Sequence, residues 1–94
     1  MNVYPREVEA VLLAVPGVID AAVIGVPSRS WGEAVTAFVV TAGMSADEIA
    51  TAISTRLAAF KRPKQIIQVA SIPRTEMGKL RGDLLLSSPQ ITPS

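Results

Sequence analysis

Neither cysteine nor histidine occurs in this 94-residue chain. The first absence removes a disulfide framework, a thiolate metal site and a catalytic thiol. The second removes the commonest general base and metal ligand. Aromatic residues are scarce, with one Trp, one Tyr and two Phe. A nucleic-acid module would interleave aromatics with basic residues on one sheet face, so no nucleic-acid polymer is expected as a partner. No segment approaches about 18 consecutive apolar residues, so no membrane span is expected. The N-terminus lacks the basic segment and apolar run of a secretory signal. These absences fit a cytoplasmic protein.

What is present reads as one small globular domain, with 49% apolar and 18% charged residues. The formal net charge is only +1, yet its distribution is uneven. Residues 1–55 carry two basic and six acidic side chains, whereas residues 56–83 carry seven basic and two acidic ones. The split suggests that the second half meets an anion; the alternative is a solvated basic surface.

Periodicity gives a coarse layout. Pro5 suits the first turn of a helix, and Val8, Val11, Leu12 and Val15 form one apolar stripe before Pro16-Gly17. VIDAAVIGV (Val18–Val26) and AVTAFVVT (Ala34–Thr41) read as two strands of an antiparallel hairpin, joined by the turn-rich PSRSWGE (Pro27–Glu33). Ser45 and Glu48 have capping-box spacing at the start of a second helix. Its buried face is expected to run through Ile49, Ala52, Ile53, Leu57 and Phe60 to a stop at Pro63. QIIQVAS (Gln65–Ser71) reads as a third strand, LRGDLLL (Leu80–Leu86) as a short last helix, and residues 87–94 as a loose tail. The order α-β-β-α-β-α predicts an α+β domain, with a small mixed three-stranded sheet covered by helices. The chain starts almost directly on a helix, as if cut from a longer protein.

One polar loop stands out, PRTEMGKL (Pro73–Leu80). It is not a Walker-type phosphate cradle, because Pro73 and Leu80 occupy the places where that motif needs a glycine and a Ser or Thr. Together with NVYPREVEAVL (Asn2–Leu12), VIGVPSRSWGEAVTAFVV (Val23–Val40) and FKRPK (Phe60–Lys64), it resembles the C-terminal domain of adenylate-forming enzymes. This superfamily contains the acyl-CoA synthetases, aryl-CoA ligases, peptide-synthetase adenylation domains and luciferases. The resemblance covers residues 2–86, and four blocks in order are far more specific than any one alone.

The resemblance implies a two-step acid–thiol ligase. A carboxylate attacks the α-phosphate of ATP to give an acyl-adenylate and pyrophosphate, and a thiol then displaces AMP. It also implies a large N-terminal domain, absent from this chain, that supplies most of the ATP site and the acid pocket. This chain would be the mobile lid, inactive by itself. ATP and CoA are the implied co-substrates. Mg2+ is expected in the full-length enzyme, with no metal bound by this domain.

By the resemblance Lys79 is the adenylation lysine. A compact ammonium on a long stem can donate to a carboxylate and a phosphate at once and offset their repulsion. Gly78 would let the loop turn. FKRPK implies part of the CoA nucleotide site, with Phe60 stacking on adenine, and Arg62 and Lys64 pairing with phosphates. The alternative for Phe60 is to close the apolar stripe of its helix. Gly25 is placed near the pantetheine path, and Trp31, Gly32 and Glu33 at the face that meets the large domain, although a tryptophan there also suits packing. After Lys79 the chain departs from the family pattern, with Gly82-Asp83 in place of basic residues. Other readings are a stand-alone small-molecule-binding or regulatory α+β domain, and an adenylation domain of a peptide synthetase.

Overall fold

Apolar residues at helical spacing build the first element of the computed structural model, which describes residues 5–28 and 32–86. Helix α1 (Pro5–Leu13) buries Val8 and Leu12. Val15, the last member of the predicted stripe, lies just beyond the helix and is still buried, because the chain tightens there through Val15 N–H donating to Leu12 C=O at 3.0 Å. Gly17 follows with φ +98°, and a Cβ on it would sit 2.8 Å from the Met44 sulfur.

Strands β1 (Val18–Ser28) and β2 (Gly32–Thr41) pair antiparallel from Val18↔Thr41 to Ser28↔Gly32, with a register shift between Val18 and Asp20. Both strands run further than predicted. The predicted connection begins at Pro27, yet Pro27 pairs opposite Glu33. The physical reason is parity on an edge strand. Ala21 and Val23 direct their N–H groups away from β2, to the carboxylates of Asp20 and Glu9. Pro27 shares that odd parity, so its missing N–H falls on the open side and no ladder bond is lost. Trp31 and the tail 87–94 lie outside the described residues.

Helix α2 (Ala46–Ser54) starts where its cap predicts: the Ser45 hydroxyl accepts from Glu48 N–H and the Glu48 carboxylate from Ser45 N–H, both at 3.1 Å. Its end is earlier than expected. Thr51, Ser54 and Thr55 hydroxyls all donate back to carbonyls three or four residues earlier, which competes with helix propagation. Leu57 remains buried beyond the helix, but Phe60 does not close the stripe; it is 46% exposed in a 3-10 turn (Ala59–Lys61).

Strand β3 (Gln65–Gln68) is shorter than predicted and pairs parallel to β2, so the sheet order is β1-β2-β3. Helix α3 (Gly82–Leu86) begins two residues later than predicted, because Leu80 forms an isolated antiparallel bridge with Arg74.

The result is an α+β domain with a mixed three-stranded sheet, apolar on both faces. Ala21, Val23, Ala37 and Val39 pack against α1 and α2. The alternate residues Ala22, Val26 and Phe38 pack against Ile72 and Leu85 of the closing segment. Among the described residues no helix is long and apolar enough to cross a membrane.

Candidate functional site

The loop 73–81 is a pinned hairpin. Gly78 N–H donates to Thr75 C=O at 2.8 Å, and Thr75 N–H to Lys79 C=O at 2.7 Å. The Thr75 hydroxyl accepts the Lys79 N–H at 3.1 Å, and Arg81 N–H closes the base on Pro73 C=O at 2.9 Å. This is the bonding of a three-residue hairpin loop whose bulge position needs a left-handed residue. Gly78 fills it with φ +83°. A Cβ there would meet nothing within 4 Å, so glycine is required by its dihedral and not by crowding. The hairpin's backbone is thus fixed on both sides of Lys79, whose side chain is exposed and belongs to none of the ion pairs among the described residues. Met77, at the apex, is 93% exposed.

The base of this hairpin is tied to the beginning of β1. Arg74 Nη2 donates to Asp20 Oδ1 at 2.9 Å and approaches the Ala21 carbonyl at 3.4 Å. Sequence reasoning missed this contact. Its signal was a lone carboxylate, Asp20, inside an otherwise apolar strand, since a charge at a half-buried sheet position needs a partner.

FKRPK lies elsewhere. Lys64 N–H donates to Val35 C=O at 2.8 Å, one step before the β2–β3 ladder begins. Val35 pairs on its other side with Gly25. Gly25, Val35 and Lys64 therefore form one row across the sheet, with Lys64 exposed. Gly25 is inside β1 and not at its end. It shares the outward parity of Val23, and its outward N–H and C=O have no recorded partner among the described residues. Gly32 and Glu33 stand at the far end of the same hairpin, paired with Ser28 and Pro27.

Arg62 has a structural task that the sequence did not reveal. Its Nε donates to Leu57 C=O at 2.9 Å and its Nη2 to Ser54 C=O at 2.8 Å, closing the C-terminal end of α2. Lys61 pairs with Glu7 at 2.8 Å and lies 5.8 Å from the centre of the Phe60 ring. Arg81 and Asp83 pair at 2.8 Å. The hydrogen bond raises the Arg81 pKa and lowers that of Asp83, so the unusual acidic residue is neutralised by its own neighbour.

The structure thus joins Gly25 and Lys64 but does not bring Lys79 to them. From Asp20, where the lysine hairpin is tied, to Gly25 is five residues of strand, roughly 17 Å at 3.4 Å per residue. An open cleft bordered by Thr41, Met44, Ser45 and Gln68 contains none of the predicted site residues. Among the described residues, no group of three or more His, Cys, Asp or Glu side chains could hold a metal ion.

Residues 7–79 match the model of the AMP-binding enzyme C-terminal domain. The chain is 46% identical over 81 residues to the long-chain-fatty-acid–CoA ligase FadD13 of Mycobacterium tuberculosis, covering 84% of this chain and 16% of that protein. It is 44% identical over 82 residues to the fatty acid–[acyl-carrier-protein] ligase ScoC of Streptomyces coeruleorubidus, again over 84% of this chain and 16% of that protein. The fold superposes on ATP-bound MatB from Rhodopseudomonas palustris with a TM-score of 0.82 and 42% identity, over 90% of this chain and 18% of that one. The chain therefore spans about one sixth of the length of the curated relatives it matches.

Proposed function

This chain belongs to the AMP-binding enzyme C-terminal domain family, and we propose that it is the mobile lid of an ATP-dependent acid–CoA ligase. In this reading residues 2–86 are the lid, and a large N-terminal domain of the same enzyme is its partner. That domain holds the acid pocket, most of the ATP site and the Mg2+ that accompanies the nucleotide.

The adenylation step brings two anions together, and negative charge grows at the α-phosphorus as the carboxylate oxygen attacks. Lys79 is suited to that moment. Its ammonium can donate to both reacting groups, and a pre-positioned donor in a closed, water-poor site stabilises developing charge without reorganising. The hairpin fixes the backbone on either side of Lys79, while the side chain keeps its length and rotation. A compact cation on a rigid mount is the observation that carries the proposal.

Thioester formation would use the other end of the sheet. Lys64 offers a point charge to a CoA phosphate, and Phe60 offers a half-exposed ring to adenine. Arg62 engages two of its five N–H donors on the Ser54 and Leu57 carbonyls and keeps the rest for a phosphate. The outward N–H and C=O of Gly25 can pair with an amide of an extended thiol arm, as an edge strand pairs with a peptide. In this reading Gly32 and Glu33 belong to the face that meets the large domain. The match to a ligase that acts on an acyl-carrier protein supports a second reading for the acceptor, a carrier-bound pantetheine arm, in which Gly25 serves and Lys64 is dispensable.

The test is a split of the two half-reactions in the full-length protein. Lys79→Ala is expected to reduce acid-dependent pyrophosphate exchange at least a hundredfold, as removal of one transition-state donor does. Conversion of a preformed acyl-adenylate to thioester should be retained. Equal loss of both half-reactions removes the assigned role.

A further inference from the structure

Lys79 can act only if its hairpin is held still relative to the sheet; apolar packing of Ile72 and Leu80 seats it, and one polar contact to β1 adds a directional tie. Arg74 stands at its base, bridged to Leu80 across the two arms. Its Nη2 forks to Asp20 Oδ1 at 2.9 Å and to the Ala21 carbonyl at 3.4 Å. The same Asp20 oxygen accepts the Ala21 N–H at 2.9 Å. Asp20 is thereby fixed to the strand before it meets Arg74, so the guanidinium grips a rigid acceptor and not a swinging side chain.

The register shift between Val18 and Asp20 adds to this. A bulge on an edge strand re-aims the side chain beside it. Asp20 has the parity of Ala22 and Val26, the face that the closing segment covers. The carboxylate is thus presented on the side where residues 72–85 pass. Both partners are about one-third exposed, a setting in which an ion pair adds little to overall stability. Its directional bonds instead suit it to orienting the hairpin against the strand.

We infer that Arg74 and Asp20 form a positioning latch that aims the Lys79 hairpin for adenylation, neither residue touching substrate. This rests on the function proposed for Lys79. The latch has no part in thioester formation, because it lies at the opposite end of β1 from Gly25 and Lys64.

The experiment uses the full-length protein, with Lys79→Ala run alongside. Arg74→Met keeps the stem and removes the donors, and Asp20→Ala removes the nearer, charged acceptor. Each is expected to lower kcat for acid-dependent pyrophosphate exchange roughly tenfold, since small misplacements of a catalytic group cost one to two orders of magnitude. The KM values for ATP and acid should stay within about twofold. Thioester formation from preformed acyl-adenylate should be unchanged, which also reports that the variants fold. The double variant should be no slower than the slower single one, as coupled partners are not additive. Arg74→Lys should recover most of the rate, because an ammonium can reach the same two acceptors.

Normal adenylation in both variants, with Lys79→Ala inactive, overturns the latch and leaves the role of Lys79 intact. A slow Arg74→Met beside a normal Asp20→Ala also overturns it, since Arg74 would then be acting directly on substrate. If Lys79→Ala itself is normal, the underlying reading fails first.

Discussion

At the scale of single residues, the hairpin shows how a dihedral requirement can be separated from a space requirement. Gly78 has a positive φ and open space where a Cβ would go. Gly78→Ala should therefore cost about 1–2 kcal/mol from the left-handed conformation alone. Gly78→Asn should cost less, because asparagine tolerates that region. Denaturant unfolding of the two variants checks the order; equal losses would mean that crowding matters after all. Arg62 carries the opposite lesson. A basic residue in a basic run invites a phosphate, but its guanidinium binds the Ser54 carbonyl at the end of α2 and the Leu57 carbonyl just beyond it. Nothing local in FKRPK distinguishes the two tasks, because the acceptors belong to residues five and eight positions earlier.

At the scale of elements, what could be read from the chain was what local chemistry decides. The start of α2 follows from Ser45 and Glu48, three residues apart, and both reciprocal bonds are present. Ser45→Ala should destabilise the domain by about 1 kcal/mol, measured by thermal or denaturant unfolding. Glu48→Ala should lose a smaller part of the same effect. The end of α2 was not legible, because three hydroxyls and a distant guanidinium share the decision. The extent of β1 was misjudged for a related reason. A proline breaks a strand only if its N–H would have been used, and that depends on which edge faces the neighbour. The order of elements and the face buried by α1 were readable from periodicity within single segments. The mixed sheet was readable from the connections, a short one between β1 and β2 and a helical crossover between β2 and β3. The Arg74–Asp20 contact spans 54 residues and had only an isolated carboxylate to announce it.

At the scale of the whole molecule, the two groups of predicted site residues are anchored roughly 17 Å apart along β1 in a body only 31 × 30 × 23 Å across. The uneven charge noted in the sequence supports this reading in both places, with Lys79 on the hairpin and Lys64 at the start of β3. In the full-length protein, Lys64→Ala should raise the KM for CoA roughly fivefold, the weight of one half-screened ionic contact. Acid-dependent pyrophosphate exchange should be unaffected, the mirror image of Lys79→Ala. A carrier-protein acceptor would leave Lys64→Ala silent in both assays. The bulged edge strand then has a mechanical consequence. Asp20 and Gly25 are stations on one continuous strut, so their separation cannot change without tearing the sheet. If the domain swings as proposed, a tool mounted at one station would be withdrawn by the same movement that presents the other, with no relay needed between them.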